Sequence, residues 1–233
     1  MCGRYTFTQD LSELEKLVKF ICKISDFEPR YNIAPRSNVP VLVWENNQTV
    51  LKPMRWGLIP GWSKDEKIGD KLTNARAETL TEKPSFKTPF QKHRCLIPAD
   101  GYYEWQRSGT TKIPFRFTMA DNQFFCMAGL WERWIRPHQE GELGLDDTGP
   151  SINQVVETFT IITTEPNLMA ARVHTRMPVI LGLEHYAWWL EPKFEPEFLK
   201  SLLRPFPAEK MDCRQVSLSL NDAKNEVPEC IAA

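Results

Sequence analysis

The sequence predicts a β-rich α+β fold in a single domain. Three observations lead there. Short apolar runs with strand alternation recur along the chain, "RCLIPA", "GYYEWQR", "IPFRFTM", "QFFCMAGLW", "VVETFTIITT" and "CRQVSLSL" among them. The eighteen prolines fall mostly at the ends of these runs, which suits short strands and long ordered loops rather than a doubly wound parallel sheet. Helical patterns are brief and lie between the strands, around "SFKTPF", "NLMAARV", "HYAWWL" and "EFLKSLL".

In chain order, an extended "CGRYTF" turns Cys2, Arg4 and Thr6 to one face and Tyr5 and Phe7 to the other, so the apolar pair anchors the strand and Arg4 stands beside Cys2. "DLSELEKLVKFI" then places Leu11, Leu14, Leu17, Val18 and Ile21 on one helical stripe, with Asp10 as N-cap. From Val39 to Leu58 the pattern is a hairpin, turned at Asn46-Asn47, two residues that tolerate the positive φ of a tight turn. The polar, Gly-bearing segment 136–154 reads as a surface insertion.

At 233 residues and 42% hydrophobic, the chain can bury one substantial core. Its opening turns polar within a few residues and no apolar run approaches a membrane span, so the expectation is a soluble protein that is cytoplasmic. Six cysteines without a CxxC pair argue against structural zinc and a redox dithiol. A net charge of -1 provides no global attraction to phosphate, so nucleic-acid binding would need a local cluster of arginines.

Four stretches carry polar residues between apolar ones. Cys2 follows the initiator, so removal of Met1 would leave a free amine and a thiol on neighbouring carbons; a packed, inert thiol is the competing reading. In "TNARAET", Asn74, Arg76 and Glu78 alternate with alanines, as a site or as a solvated edge with an Arg and Glu pair. Glu104 in "GYYEW" sits among aromatics, where a carboxyl pairs with an arginine or has its pKa raised toward that of a proton shuttle. His174 has no second ligand at metal spacing, which removes a metal role. Trp62, after "GLIPG", is a stacking surface for a base or a core residue.

"MCGRYTF", "YNIAP", "RWGLIPGW", "NARAET", "CLIPADGYYEW", "AGLWE", "FTIITTEPN" and "HTRMPVIL" together resemble, in order and over nearly the whole chain, the SOS response-associated peptidase (SRAP) family. That resemblance implies a barrel-like antiparallel sheet core flanked by short helices, with a positively charged groove. It implies an abasic-site sensor of the DNA damage response, acting on single-stranded DNA as a monomer, without cofactor, metal or membrane, and nucleoid-associated when bound. By motif position Cys2 would be the crosslinking residue and Asn74, Glu104 and His174 its catalytic companions. Arg4, Trp62, Arg76, Thr163 and Arg176 would be DNA contacts. The family's peptidase name allows self-cleavage of the Met1–Cys2 bond.

The chemistry expected is capture of the ring-opened sugar's aldehyde. An α-amine with pKa near 8 is about one-tenth neutral at pH 7, far more than a lysine with pKa near 10.4. The adjacent thiol then closes a five-membered thiazolidine. The rivals are an N-terminal cysteine hydrolase acting on amides and a non-covalent single-stranded DNA module.

Overall fold

The computed structural model describes residues 2–136 and 154–232. Strand β1 (Arg4–Phe7) buries Tyr5 and Phe7, as the alternation requires. Thr6 is buried as well, because its hydroxyl donates to Asp100 Oδ1 at 2.5 Å. Helix α1 (Leu11–Leu17) is capped by Asp10, whose Oδ1 accepts from Ser12 N at 2.8 Å. Val18 already has extended backbone, so the helix stops there. Ile21, expected on its apolar stripe, instead lies in the two-residue strand β2 (Ile21–Cys22), paired in parallel with Val50 and exposed.

After β3 (Arg30–Ile33), the strands β4 (Asn38–Glu45) and β5 (Gln48–Trp56) form the anticipated hairpin. Its turn residues Asn46 and Asn47 have φ of 50° and 60°, and Glu45 faces Gln48. "NARAET" splits into β6 (Asn74–Arg76) and a 3-10 turn at Ala77–Thr79, so Glu78 leaves the strand face predicted for it. Helix α2 (Pro84–Lys92) precedes β7 (Arg94–Ala99), β8 (Gly101–Ser108), β9 (Thr111–Met119), β10 (Phe125–Ile135) and β11 (Val155–Thr164). "NLMAARV" contains only a 3-10 turn, Ala170–Arg172. Short strands β12 (Met177–Pro178) and β13 (Ile180–Leu181), helices α3 (Tyr186–Leu190) and α4 (Pro196–Ser201), and β14 (Met211–Gln215) follow. The last strand starts and ends earlier than "CRQVSLSL" suggests, and Leu218–Asn221 forms a 3-10 turn. Of the segment read as an insertion, residues 137–153 lie outside the described residues.

Five strands close into a barrel in the order β5–β4–β7–β10–β11. Each of these four junctions is antiparallel, and the ring shuts through a parallel contact of β11 with β5, Thr158 opposite Arg55 and Phe159 opposite Trp56. Parity demands this. Four reversals of direction bring the fifth strand parallel to the first. Gly129 sits at a close approach in the wall, where a Cβ would stand 2.7 Å from Thr160 O and 2.3 Å from Ile97 Cδ1.

A second, antiparallel sheet, β14–β9–β8–β1–β3, packs against the barrel. The chain crosses from β7 to β8 through Asp100 alone. Its buried carboxylate accepts from Thr8 N at 2.7 Å and from Arg116 Nη2 at 3.1 Å, so this corner carries a buried ion pair. Among the described residues no helix is long and apolar enough to cross a membrane.

Candidate active site

The polar residues singled out in the sequence gather where β1 and β8 of the second sheet meet the β6 and β11 side of the barrel. Cys2 precedes β1 and so escapes its alternation: it packs in the main core with Tyr5 and Phe7. Arg4 points away from it, donating through Nη1 to Asn32 Oδ1 at 2.7 Å and to Leu220 O at 3.4 Å, with its guanidinium 5.9 Å from the Trp105 ring. The expected neighbourhood of Cys2 and Arg4 side chains is therefore replaced by one of backbone only, Cys2 Sγ lying 3.8 Å from Arg4 O.

In the chain that still carries Met1, Cys2 is fully buried. Burial raises the pKa of its thiol, and the nearby Glu104 carboxyl adds to the rise. Parallel pairing of β6 with β11, Asn74 opposite Ile161, brings Asn74 to the start of the chain. Its Nδ2 donates to Cys2 O at 2.9 Å, while its buried Oδ1 has no hydrogen-bond partner among the described residues.

Glu104 lies on β8 one residue past Tyr103, which pairs with Arg4. It is 3% exposed. Burial pushes its carboxyl up to about 7, with the positive charge of the amino terminus pulling the other way. His174 Nε2 stands 4.0 Å from Glu104 Oε2. The backbone of Arg176 holds the ring through Nδ1, with Arg176 N at 3.0 Å and Arg176 O at 3.3 Å, which leaves Nε2 toward Glu104. Burial lowers the pKa of His174, which keeps the ring neutral at pH 7. The loop bearing it is tied to β8 by Gln106 Nε2 donating to Arg172 O at 3.2 Å.

A cleft of ≈ 710 Å³ opens over this cluster, lined among others by Gly3, Arg4, Glu104, Trp105 and His174. Trp62 stands 63% exposed on its loop, so core packing does not account for it. Arg76 is exposed at the end of β6. Thr163 and Arg176 sit differently from what a DNA contact requires. Thr163 is fully buried, its hydroxyl 3.4 Å from Ala75 O, and has no surface to offer a ligand. Arg176 is engaged by both oxygens of Glu78, at 2.5 and 3.0 Å, and by Thr163 O at 2.5 Å.

That Glu78–Arg176 clasp joins the segment carrying Asn74 to the one carrying His174. The sequence puts Glu78 on one polar face with Asn74 and Arg76, as a site or as an edge with a local Arg and Glu pair; its partner in the structure is the distant Arg176. Asn32, which holds Arg4, was missed, and no local signal marks it. Among the described residues no three His, Cys, Asp or Glu side chains form a group able to hold a metal ion.

A family model for SOS response associated peptidase (SRAP) matches residues 1–223. The chain belongs to this family. Among its relatives, the abasic site processing protein YoqW of Bacillus subtilis (strain 168) is 44% identical over 236 residues, covering 99% of each chain. The abasic site processing protein HMCES of Xenopus tropicalis is 32% identical, covering 89% of this SRAP chain and 67% of its own. A crystal structure of a protein from Bacteroides thetaiotaomicron is similar over the whole of both chains, with a TM-score of 0.85 and 30% identity.

Proposed function

We propose that this SRAP protein captures abasic sites in single-stranded DNA as a covalent thiazolidine on Cys2, after Met1 has been removed. The observation that carries the reading is a carboxyl with a pKa near 7 beside a neutral imidazole and the buried start of the chain. The names of the relatives, abasic site processing proteins, support the substrate.

Each step then has a group to serve it. The neutral α-amine attacks the aldehyde carbon, and Glu104, whose carboxyl burial pushes up to about 7, accepts in its ionised form the proton the nitrogen gives up. Glu104 returns a proton to the hydroxyl that leaves as water, and an imine remains. Cys2 Sγ adds to the imine carbon, its thiol proton passes to the nitrogen, and the ring closes. Aldehyde, amine and thiol are consumed, and one water is released. The hemiacetal opens as the bond from C1 to the ring oxygen breaks: the Glu104 carboxylate takes the proton of the anomeric hydroxyl and passes it to the departing ring oxygen, with His174 Nε2 beside Glu104 to position the sugar. Asn74 holds the backbone of Cys2, and Arg4 and Arg76 meet flanking phosphates. Thr163 and Arg176 act here as positioning residues.

The rival N-terminal cysteine hydrolase uses the same terminus, its amine as base, on an amide, and leaves no adduct with abasic DNA. Intact mass spectrometry before and after exposure to an abasic oligonucleotide tests the proposal. It should report loss of Met1 and a stoichiometric adduct surviving denaturation; a fully trimmed sample without adduct would refute capture.

Two further outcomes are expected. Trp62→Ala should weaken binding of intact single-stranded DNA about tenfold, as loss of one stacking platform does, with capture at saturating oligonucleotide unchanged. Fluorescence anisotropy and a denaturing gel read the two. Glu78→Gln should shift stability by less than about 1 kcal/mol, since the pair lies near the surface. Capture should nonetheless slow, because the segments carrying Asn74 and His174 lose their link. Tighter DNA binding by that variant would instead return Arg176 to the phosphate contacts.

A further inference from the structure

Two cations face each other across the β8–β9 hairpin. The register sets Arg107 opposite Lys112, so both side chains project from the same face. Like charges directly opposed across strands destabilise a hairpin. Both residues are exposed, and among the described residues neither forms an ion pair.

Their place in the fold suggests what offsets that repulsion. Arg107 and Lys112 line the same cleft as Glu104 and His174. Pairing of β1 with β8 runs no further than Arg4 and Tyr103 in that direction, so the stretch of β8 from Glu104 to Arg107 lacks β1 as a neighbour. Arg107 lies about 10 Å along the strand from Glu104, at roughly 3.3 Å per residue, a reach that suits a neighbouring nucleotide rather than the reacting sugar itself. The backbone beneath is held in place. Asn221 accepts from Trp105 Nε1 at 2.7 Å and donates to Lys112 O at 3.1 Å, pinning the hairpin to the C-terminal segment.

We propose that Arg107 and Lys112 form a phosphate clamp for the nucleic-acid backbone next to the captured sugar. This rests on the reading of the cleft as a single-stranded DNA lesion trap, and it names the wall along which the strand leaves. The ligand chemistry is a phosphodiester chain. The guanidinium and ammonium groups hold its oxygens without reading bases.

The test is a salt series of fluorescence anisotropy with an intact, non-abasic oligonucleotide, comparing the wild type with the Arg107→Gln, Lys112→Gln double variant. Loss of two contacts on a single strand should reduce the slope of log affinity against log salt by about 1.4, with binding weakened most at low salt. An unchanged slope overturns the clamp. Because neutralising the pair removes a repulsion between exposed groups, the variant should melt at or slightly above the wild-type midpoint without DNA. Millimolar inorganic phosphate should not displace the oligonucleotide from wild type; displacement equal to that by DNA would overturn the assignment in favour of a simple anion site. The two proposals fail separately. Wild type that binds DNA with the steeper slope yet forms no adduct refutes capture and keeps the clamp, whereas normal capture with equal slopes refutes only the clamp.

Discussion

Replacing Cys2 with alanine is expected to abolish the adduct that survives heating, while binding of intact single-stranded DNA stays within about twofold of wild type. The variant keeps its α-amine after trimming, so it still forms an imine, but it has no sulfur to close the ring and the imine hydrolyses. Borohydride reduction during incubation should therefore recover an adduct with Cys2→Ala that is lost without it, which separates the amine's role from the thiol's. Cys2→Ser should yield at most a labile product. Burial of Cys2 adds a structural component: deleting its sulfur from a fully packed position costs about 1 kcal/mol, small enough to leave the fold intact by circular dichroism. The burial also means that trimming must do more than free a nitrogen. It must bring residue 2 into contact with solvent, so labelling of Cys2 by a small alkylating reagent should be slow with Met1 present and fast without it. A heat-stable adduct formed by Cys2→Ala would sink the ring-closure step.

Local features were legible in the sequence wherever local chemistry decides the structure. Asn46 and Asn47 take the positive φ that their side chains tolerate, and they set the β4–β5 register. The bounds of β7 and β11 follow their apolar runs, and Asp10 caps its helix. Glu104 among aromatics was readable as a carboxyl out of water, and its raised pKa follows from that burial alone. Long-range consequences were not readable. The parallel closure of β11 on β5 joins residues about a hundred positions apart, and no pattern within either strand encodes it. Ile21 fits a helical stripe, but Val18 breaks the helix and a parallel partner claims Ile21. The meeting of His174 with Glu104, and of Asn74 with Cys2, came from family resemblance and not from spacing. Thr163 illustrates the limit of motif transfer: the motif locates the residue, while the packing of β11 against β6 and β12 decides that its hydroxyl faces inward.

Glu104→Gln should make the protein more stable, and less active, above neutral pH. The folded state holds this carboxyl near 7, against an ordinary value of 4.5 in the unfolded chain, because burial disfavours the charged form. A raised carboxyl pKa means that the folded state binds the proton more tightly. The stabilisation from that proton is complete below about pH 4.5 and is lost as pH rises through 7. The difference is of the order of 3 kcal/mol at pH 8, at about 1.36 kcal/mol per pKa unit. Glutamine has nearly the same shape and no charge to desolvate, so the two proteins should melt alike at pH 4 and several degrees apart at pH 8, the variant higher. Capture should respond in the opposite sense: a lost general base lowers the rate about 10²- to 10⁴-fold, and the rise in wild-type rate through pH 7 should flatten in the variant. Thermal melts and capture rates across pH 4 to 9 give both curves from the same preparations. A variant that melts below wild type at pH 8 would mean that the native site stabilises the carboxylate more than burial penalises it, and Glu104 would then be ionised well below neutrality, a poor match to the shuttle required of it. Stability gained and activity lost in one substitution is the signature of a carboxyl held out of water for its chemistry.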